Sequence, residues 1–197
     1  MPAADRSVVM ALVHVAAPEP AASEETHAHL RLWDAHARTI HRFCFRRTAD
    51  AALADDLTSI VFLEAWRRRR DLSGSADELL PWLYGVATNV LRNQRRSQRR
   101  HHAALTRLPP ELEEPDFAEA ATDRLDDEAA MRAVLARLSK LSSIEQEVLS
   151  LCIWEGLTSQ AAAVVLGVPE TTVRTRLRRA REHLRLLSES ASQGDTP

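Results

Sequence analysis

Apolar residues recur at steps of three and four along most of this chain, the spacing of a helix with one face on a core. Leu30, Trp33, Ala37, Ile40 and Cys44 form the first such stripe. A second runs from about Asp50 to Arg70, where Leu53, Leu57, Ile60, Val61, Phe62 and Ala65 cover a broad face, so this helix is expected to be contacted on more than one side. Asp71–Asp77 breaks the pattern with Ser73-Gly74-Ser75 and reads as a loop. Pro81 then suits the first turn of a third helix, where a missing N–H costs nothing. That helix repeats Leu80, Leu83, Val86 or Ala87, Val90 and Leu91 before turning wholly basic at Arg92, Arg95, Arg96, Arg99 and Arg100. Cations there also complement the helix dipole.

Residues 103–128 carry Pro109, Pro110 and Pro115 among acids and show no stripe, which predicts a linker. Beyond it, Met131, Val134, Leu135 and Leu138 mark another helix, and Ser143 with Gln146 fits a capping box for the next, ending near Gly156. Thr158 can cap a short helix that stops at Gly167. After a Val168-Pro169 turn comes a long helix with Val173, Leu177, Ala180, Leu184 and Leu187 on one side. Residues 1–26, rich in Ala, Pro and Glu, and the tail 189–197 are expected to be disordered. Only five glycines and no alternating β-branched runs argue against a sheet. The expectation is an all-α chain of two small helical domains, 27–102 and 129–188, joined by a flexible acidic linker.

Charge changes this picture more than composition does. The net charge of −2 predicts no polyanionic partner by itself. Residues 31–107, however, hold 15 basic and 8 acidic side chains, residues 108–128 hold 1 and 9, and residues 129–190 hold 9 and 6. Two basic blocks thus flank an acidic connector, giving two candidate polyanion-binding surfaces. Lys140 is the sole lysine, and arginine is the better bidentate reader of phosphate and guanine, although a GC-rich genome also favours arginine. No run of eighteen apolar residues is present, so no membrane insertion is expected. Val8–Ala17 reads as a lead-in, not an export signal. Cys44 and Cys152 fit small apolar positions rather than a disulfide, in keeping with a reducing cytoplasm. His27, His29, His36 and His41 lack acids or cysteines at ligand spacing, so neither a metal nor a cofactor is expected. No nucleophile–base pair, phosphate-cradling glycine loop or catalytic acid pair appears, which argues against an enzyme.

The most informative stretch runs from Leu157 to Leu187: short helix, glycine turn, long helix, the order of a helix-turn-helix. Thr171, Thr172, Arg174, Thr175, Arg176, Arg178, Arg179 and Arg181 lie off the apolar stripe, as a recognition helix requires. "LTSQAAAVVLGVPETTVRTRLRRAREHLR" resembles the promoter-reading fourth region of bacterial sigma factors, and "LSSIEQEVLSLCIWEGLT" resembles the helix before it. "DDLTSIVFLEAWRRR" and "PWLYGVATNVLRNQRR" resemble the second region. With no folded domain between them, the order resembles the extracytoplasmic-function group of RNA polymerase sigma factors.

That resemblance implies a non-enzymatic subunit that brings polymerase to promoters and opens them. Asp55, Asp56, Leu57, Phe62 and Trp66 would contact the polymerase clamp, with the flap as a second contact. Ser73, Gly74 and Ser75 would hold a flipped minus-ten base, and Asn89, Arg92, Asn93, Arg95 and Arg96 would meet the neighbouring duplex and phosphates. Thr171, Thr172, Arg174, Thr175, Arg178 and Arg179 would read the minus-thirty-five duplex. An anti-sigma factor is a further partner that the family allows. Ser59-Ile60 departs from the Gln-Glu often found there. The alternative is a stand-alone helix-turn-helix regulator of duplex DNA, which leaves the first block without a task.

Overall fold

The computed structural model describes residues 20–69, 71–72, 74–105 and 122–193. Ser73, most of the proline-bearing linker, the lead-in 1–19 and the last four residues lie outside them. The described residues are helical, with no strand among them. Helix α1 spans Pro20–Thr48, α2 Ala51–Arg67 and α3 Ala76–Leu105. The second half contains α4 (Thr122–Leu138), α5 (Ser143–Leu149), a π turn (Ser150–Trp154), α6 (Ser159–Leu166) and α7 (Glu170–Gln193). Helix therefore begins seven residues before position 27 and enters both ends of the segment expected to be a linker, as well as the expected tail.

The stripe on α1 differs from the expected one. Ile40 and Cys44 are buried, but Leu30 is 52% and Trp33 40% exposed, while Leu32, His36, Phe43 and Arg47 face inward. Two polar members disguise this stripe. His36 is accommodated because its Nε2 donates to the Ala76 carbonyl at 2.8 Å, tying α1 to the start of α3. On α2, Ile60 is also exposed, whereas Leu57, Val61, Phe62 and Ala65 are core.

The start of α3 is another correction. Pro81 lies in the second turn, because the helix opens at Ala76. The cause is a reciprocal cap: Ser75 N–H donates to Glu78 Oε2 at 2.7 Å, and Glu78 N–H to Ser75 Oγ at 3.4 Å. The cap of α5 likewise moves by one residue. Ser142 and Glu145 form the box, while Gln146 Nε2 donates to the carbonyls of Leu138 and Leu141. Thr158 and Gly167 do cap α6 at its two ends, with Thr158 Oγ1 accepting from Ala161 N–H and Gly167 at φ +65°. The Val168 N–H returns to the Ala163 carbonyl, closing a Schellman-type end that only a left-handed residue allows.

The two halves pack on one another, and their buried residues form one continuous cluster. Helix α6 lies on α3, close enough that a Cβ at Gly85 would stand 3.6 Å from the Val165 carbonyl oxygen. No described helix is long and apolar enough to cross a membrane.

Candidate nucleic-acid interface

Helix α7 is held by one side and free on the other. Val173, Leu177 and Ala180 are buried, so the intervening positions face outward. Thr171, Arg174, Thr175, Arg178 and Arg179 are exposed and Thr172 is half-buried. Thr175 Oγ1 donates to the Thr171 carbonyl, and Arg174 pairs with Glu170 one turn back at 2.6 Å. His183 Nδ1 lies 3.3 Å from Glu145 Oε1, which joins α7 to α5. All six expected residues thus fall on one helix, five of them exposed and Thr172 half-buried, with the threonines toward its N-terminal end.

The arginines of α3 are arranged differently. Asn89, Asn93 and Arg96 are exposed, but Arg92 and Arg95 are half-buried. Arg92 grips Glu147 of α5 with two bonds, Nε to Oε1 at 2.9 Å and Nη2 to Oε2 at 2.6 Å. These bonds hold the Arg92 guanidinium above its usual range. A groove of about 600 Å³ runs between α2 and α3, lined by Ile60, Glu64, Arg68, Asn89, Asn93 and Arg100 among others.

At the loop before α3, Gly74 takes φ +122° and is exposed. Ser75 is engaged in capping α3, so its hydroxyl serves the helix rather than standing free. Beneath the loop lies a hollow of about 290 Å³ lined by His29, Arg69, Leu72, Gly74 and Ser75 among others. Trp66 forms one side of this neighbourhood, with Arg69 4.3 Å above its ring and His29 edge-on at 5.2 Å. Burial, with Arg69 nearby, keeps His29 below the usual imidazole range.

On α2, Asp55 and Asp56 are exposed, Asp55 with His41 Nε2 3.1 Å away. Leu57 and Phe62 are 2% exposed, which corrects their expected place on a contact surface: they support it from beneath. The apolar residues that do reach the surface are Ile60 and Leu63, at 44% and 47%. Ser59 turns its hydroxyl back to the Asp55 carbonyl.

Several residues escaped the sequence reading. Arg46 donates to the Trp154 carbonyl and to Glu155 Oε1, each at 3.2 Å. Tyr84 OH donates to Glu155 Oε2 at 2.7 Å; burial, then this bond, raises the phenol well above its usual range. Glu128 Oε1 accepts from Ala51 N–H at 2.9 Å, at the start of α2. One partial signal is Glu155, an acid at the end of the largely apolar run 148–154, where a buried carboxylate needs a partner, although its identity is not written in the sequence.

Comparison with known proteins follows the same division. Residues 32–101 match the family model for Sigma-70 region 2, and residues 131–184 that for Sigma-70, region 4. The chain is 33% identical over 169 residues to the ECF RNA polymerase sigma factor SigL of Mycobacterium tuberculosis H37Rv, covering 84% of this chain and 92% of that one. It is 28% identical to the ECF RNA polymerase sigma factor BldN of Streptomyces coelicolor, covering 88% of this chain and 65% of the relative. Among solved structures, CnrH in complex with the cytosolic domain of CnrY superposes with a TM-score of 0.62 at 22% identity, over 85% of this chain and 92% of that one. The sigma factor RpoE in complex with the anti-sigma factor NepR, from Bartonella quintana, gives 0.59 at 22% identity, over 85% and 97%.

Proposed function

Because this chain belongs to the extracytoplasmic-function sigma factors of RNA polymerase, we propose that it binds the core enzyme of that polymerase and directs it to a particular set of promoters. The observation that carries this reading is α7: a helix-turn-helix whose exposed side presents Thr171, Arg174, Thr175, Arg178 and Arg179. Short polar residues at the N-terminal end of such a helix suit base edges, and the arginines suit guanine and phosphate. In this reading α7 takes the minus-thirty-five duplex. The loop at Gly74 and the hollow beneath it take an unpaired minus-ten base, and Asn89, Arg92, Asn93, Arg95 and Arg96 take the adjoining strand. Asp55, Asp56, Ile60, Leu63 and Trp66 form the polymerase-facing surface, and the protein acts in the cytoplasm without catalysing a reaction itself. The two solved neighbours were captured with a protein partner, one of them named as an anti-sigma factor. This supports a protein antagonist for this chain too.

The test is run-off transcription with bacterial core polymerase, followed by sequencing of the RNA 5′ ends. Start sites should share a minus-thirty-five and minus-ten element at fixed spacing, and Asp56→Arg should remove them by preventing association with core. Duplex binding without any core-dependent initiation would instead favour a stand-alone regulator.

A further inference from the structure

The two ends of the segment between α2 and α3 are fastened by means that differ in kind. At the α2 end the contacts are local in sequence. Arg69 Nη1 donates to the Trp66 carbonyl at 3.1 Å, its guanidinium lies over the Trp66 ring, and Asp71 N–H returns to the Arg68 carbonyl at 2.9 Å. At the α3 end the fastening comes from another helix. His36 of α1 is buried and donates from Nε2 to the Ala76 carbonyl at 2.8 Å. The Asp77 carboxylate also stands 3.9 Å from that nitrogen, but it is almost fully solvated, so the carbonyl is the partner that holds.

The first turn of α3 needs such a pin. Leu79 N–H returns to the Ser75 carbonyl at 3.2 Å, but four residues after Asp77 stands Pro81, which has no N–H to give. The Asp77 carbonyl therefore lacks its rung of the helical ladder, and the proline ring crowds it. Residues 76–80 form a short helical segment poorly tied to the rest of α3, and such a segment opens more readily than the helix beyond it. The Ser75–Glu78 cap would open with it, because the two residues must lie one turn apart. Gly74, at φ +122°, and Ser75 line the hollow of about 290 Å³ beneath, so their placement depends on whether this turn is formed.

We propose that His36 is a positioning residue for the capture of an unpaired base: by pinning the first turn of α3 it keeps Gly74 and Ser75 in the shape that receives one. This rests on the reading that the hollow takes an unpaired minus-ten base. His36 itself touches no DNA; it acts through Ala76 on residues that do. What it supplies is a donor rather than a charge, since a carbonyl accepts one N–H and a neutral imidazole provides it. Removing that buried donor should favour opening of the turn on the order of tenfold.

The experiment uses the full chain with bacterial core polymerase, on the promoter that gives the strongest start site in the run-off assay. His36→Phe removes the donor and keeps a ring, His36→Gln keeps an N–H at about the same reach, and Pro81→Ala gives the Asp77 carbonyl its missing partner. Circular dichroism checks folding, and His36→Leu takes the place of His36→Phe should the larger ring not fold. In the free chain, hydrogen exchange at the Leu79 and Leu80 amides of His36→Phe should be about tenfold faster, with the α7 amides unchanged. Open-complex formation is then measured with an abasic site at each minus-ten position of the non-template strand in turn. Wild type should lose on the order of tenfold at the position whose base is captured. His36→Phe should show no such loss, because its pocket holds no base to begin with. His36→Gln, and Pro81→Ala added to His36→Phe, should each bring the loss back. If His36→Phe keeps the abasic loss, the proposal is overturned, and uniformly slow initiation with that loss intact marks a merely structural role. Failure of both rescues overturns it as well. If wild type gives no start site, or no abasic loss at any position, the base-capture reading falls and takes the proposal with it, a failure told apart from the others because wild type shows it too.

Discussion

Helices α3 and α7 carry almost the same chemistry and are held in opposite states. Each buries an apolar stripe and carries a row of arginines along its exposed length. On α7 the arginine of the expected set in a close ion pair is Arg174, with Glu170 of the same helix, while Arg178 and Arg179 stand within electrostatic reach of Glu182 and of Glu145 on α5. On α3, Arg92 reaches into the other half of the chain and is half-buried against Glu147. A cationic helix therefore says little about availability until its counter-charges are located. Pairing within one helix is local, screened and worth little, whereas a pair that joins two packed halves must be broken by a rearrangement.

That contrast can be broken in graded steps. The largest effect is expected from Arg92→Ala, which leaves the Glu147 carboxylate buried beside Arg47. We expect a loss of up to about 3 kcal/mol in urea unfolding, below the range for fully buried pairs because Arg92 itself is partly solvated. An unchanged midpoint would put Arg92 on the same footing as the α7 arginines. Next, on the proposed reading that α7 takes a minus-thirty-five duplex, Arg178→Ala should weaken duplex binding by the free chain by about 1–3 kcal/mol, in a sequence-dependent way. Arg174→Ala should fall at the lower end of that range, since Arg174 must first leave Glu170; anisotropy titrations of both variants on cognate and scrambled duplexes test the order. Thr158→Ala removes the N-cap of α6 and should cost about 1 kcal/mol of stability without altering the α3 contacts. Smallest of all, Glu182→Gln cuts a pair confined to the surface of α7 and should leave the urea midpoint where it was.

What the sequence revealed depended on how local the cause was. The elements of the helix-turn-helix were legible because each rests on a short-range rule: Thr158 as cap, Gly167 at a left-handed end, Val173, Leu177 and Ala180 as one stripe. The caps of α3 and α5 are also local. Ser75 with Glu78 and Ser142 with Glu145 both fit the box spacing, but Ser75 lies in a Ser-Gly-Ser segment with the composition of a loop, and Ser143 with Gln146 offers the same spacing one residue on. The α1 stripe departs from the hydropathy pattern for another reason. His36 and Arg47 belong to it, and a hydropathy pattern excludes polar residues whose partners lie far away in the chain. The bridges between the halves were out of reach on the same grounds. Arg46 finds Glu155 across more than a hundred residues, and no periodicity encodes that pairing.

The π turn at Ser150–Trp154 gives this last pairing a particular genetic tolerance. Its defining bond runs from Glu155 N–H to the Ser150 carbonyl, five residues back, so the helix holds one residue more than a regular turn would. Each residue of an α-helix advances the azimuth by about 100°. Losing a single codon here would let the coil relax to regular pitch, and because five steps of the widened turn cover about the same rotation as four regular ones, Glu155 would keep its direction toward Arg46 and Tyr84. The apolar residues on either side would keep their helical character. A residue gained or lost in a regular turn nearby, with no bulge to absorb it, would instead swing the acid by about 100° and part the pair.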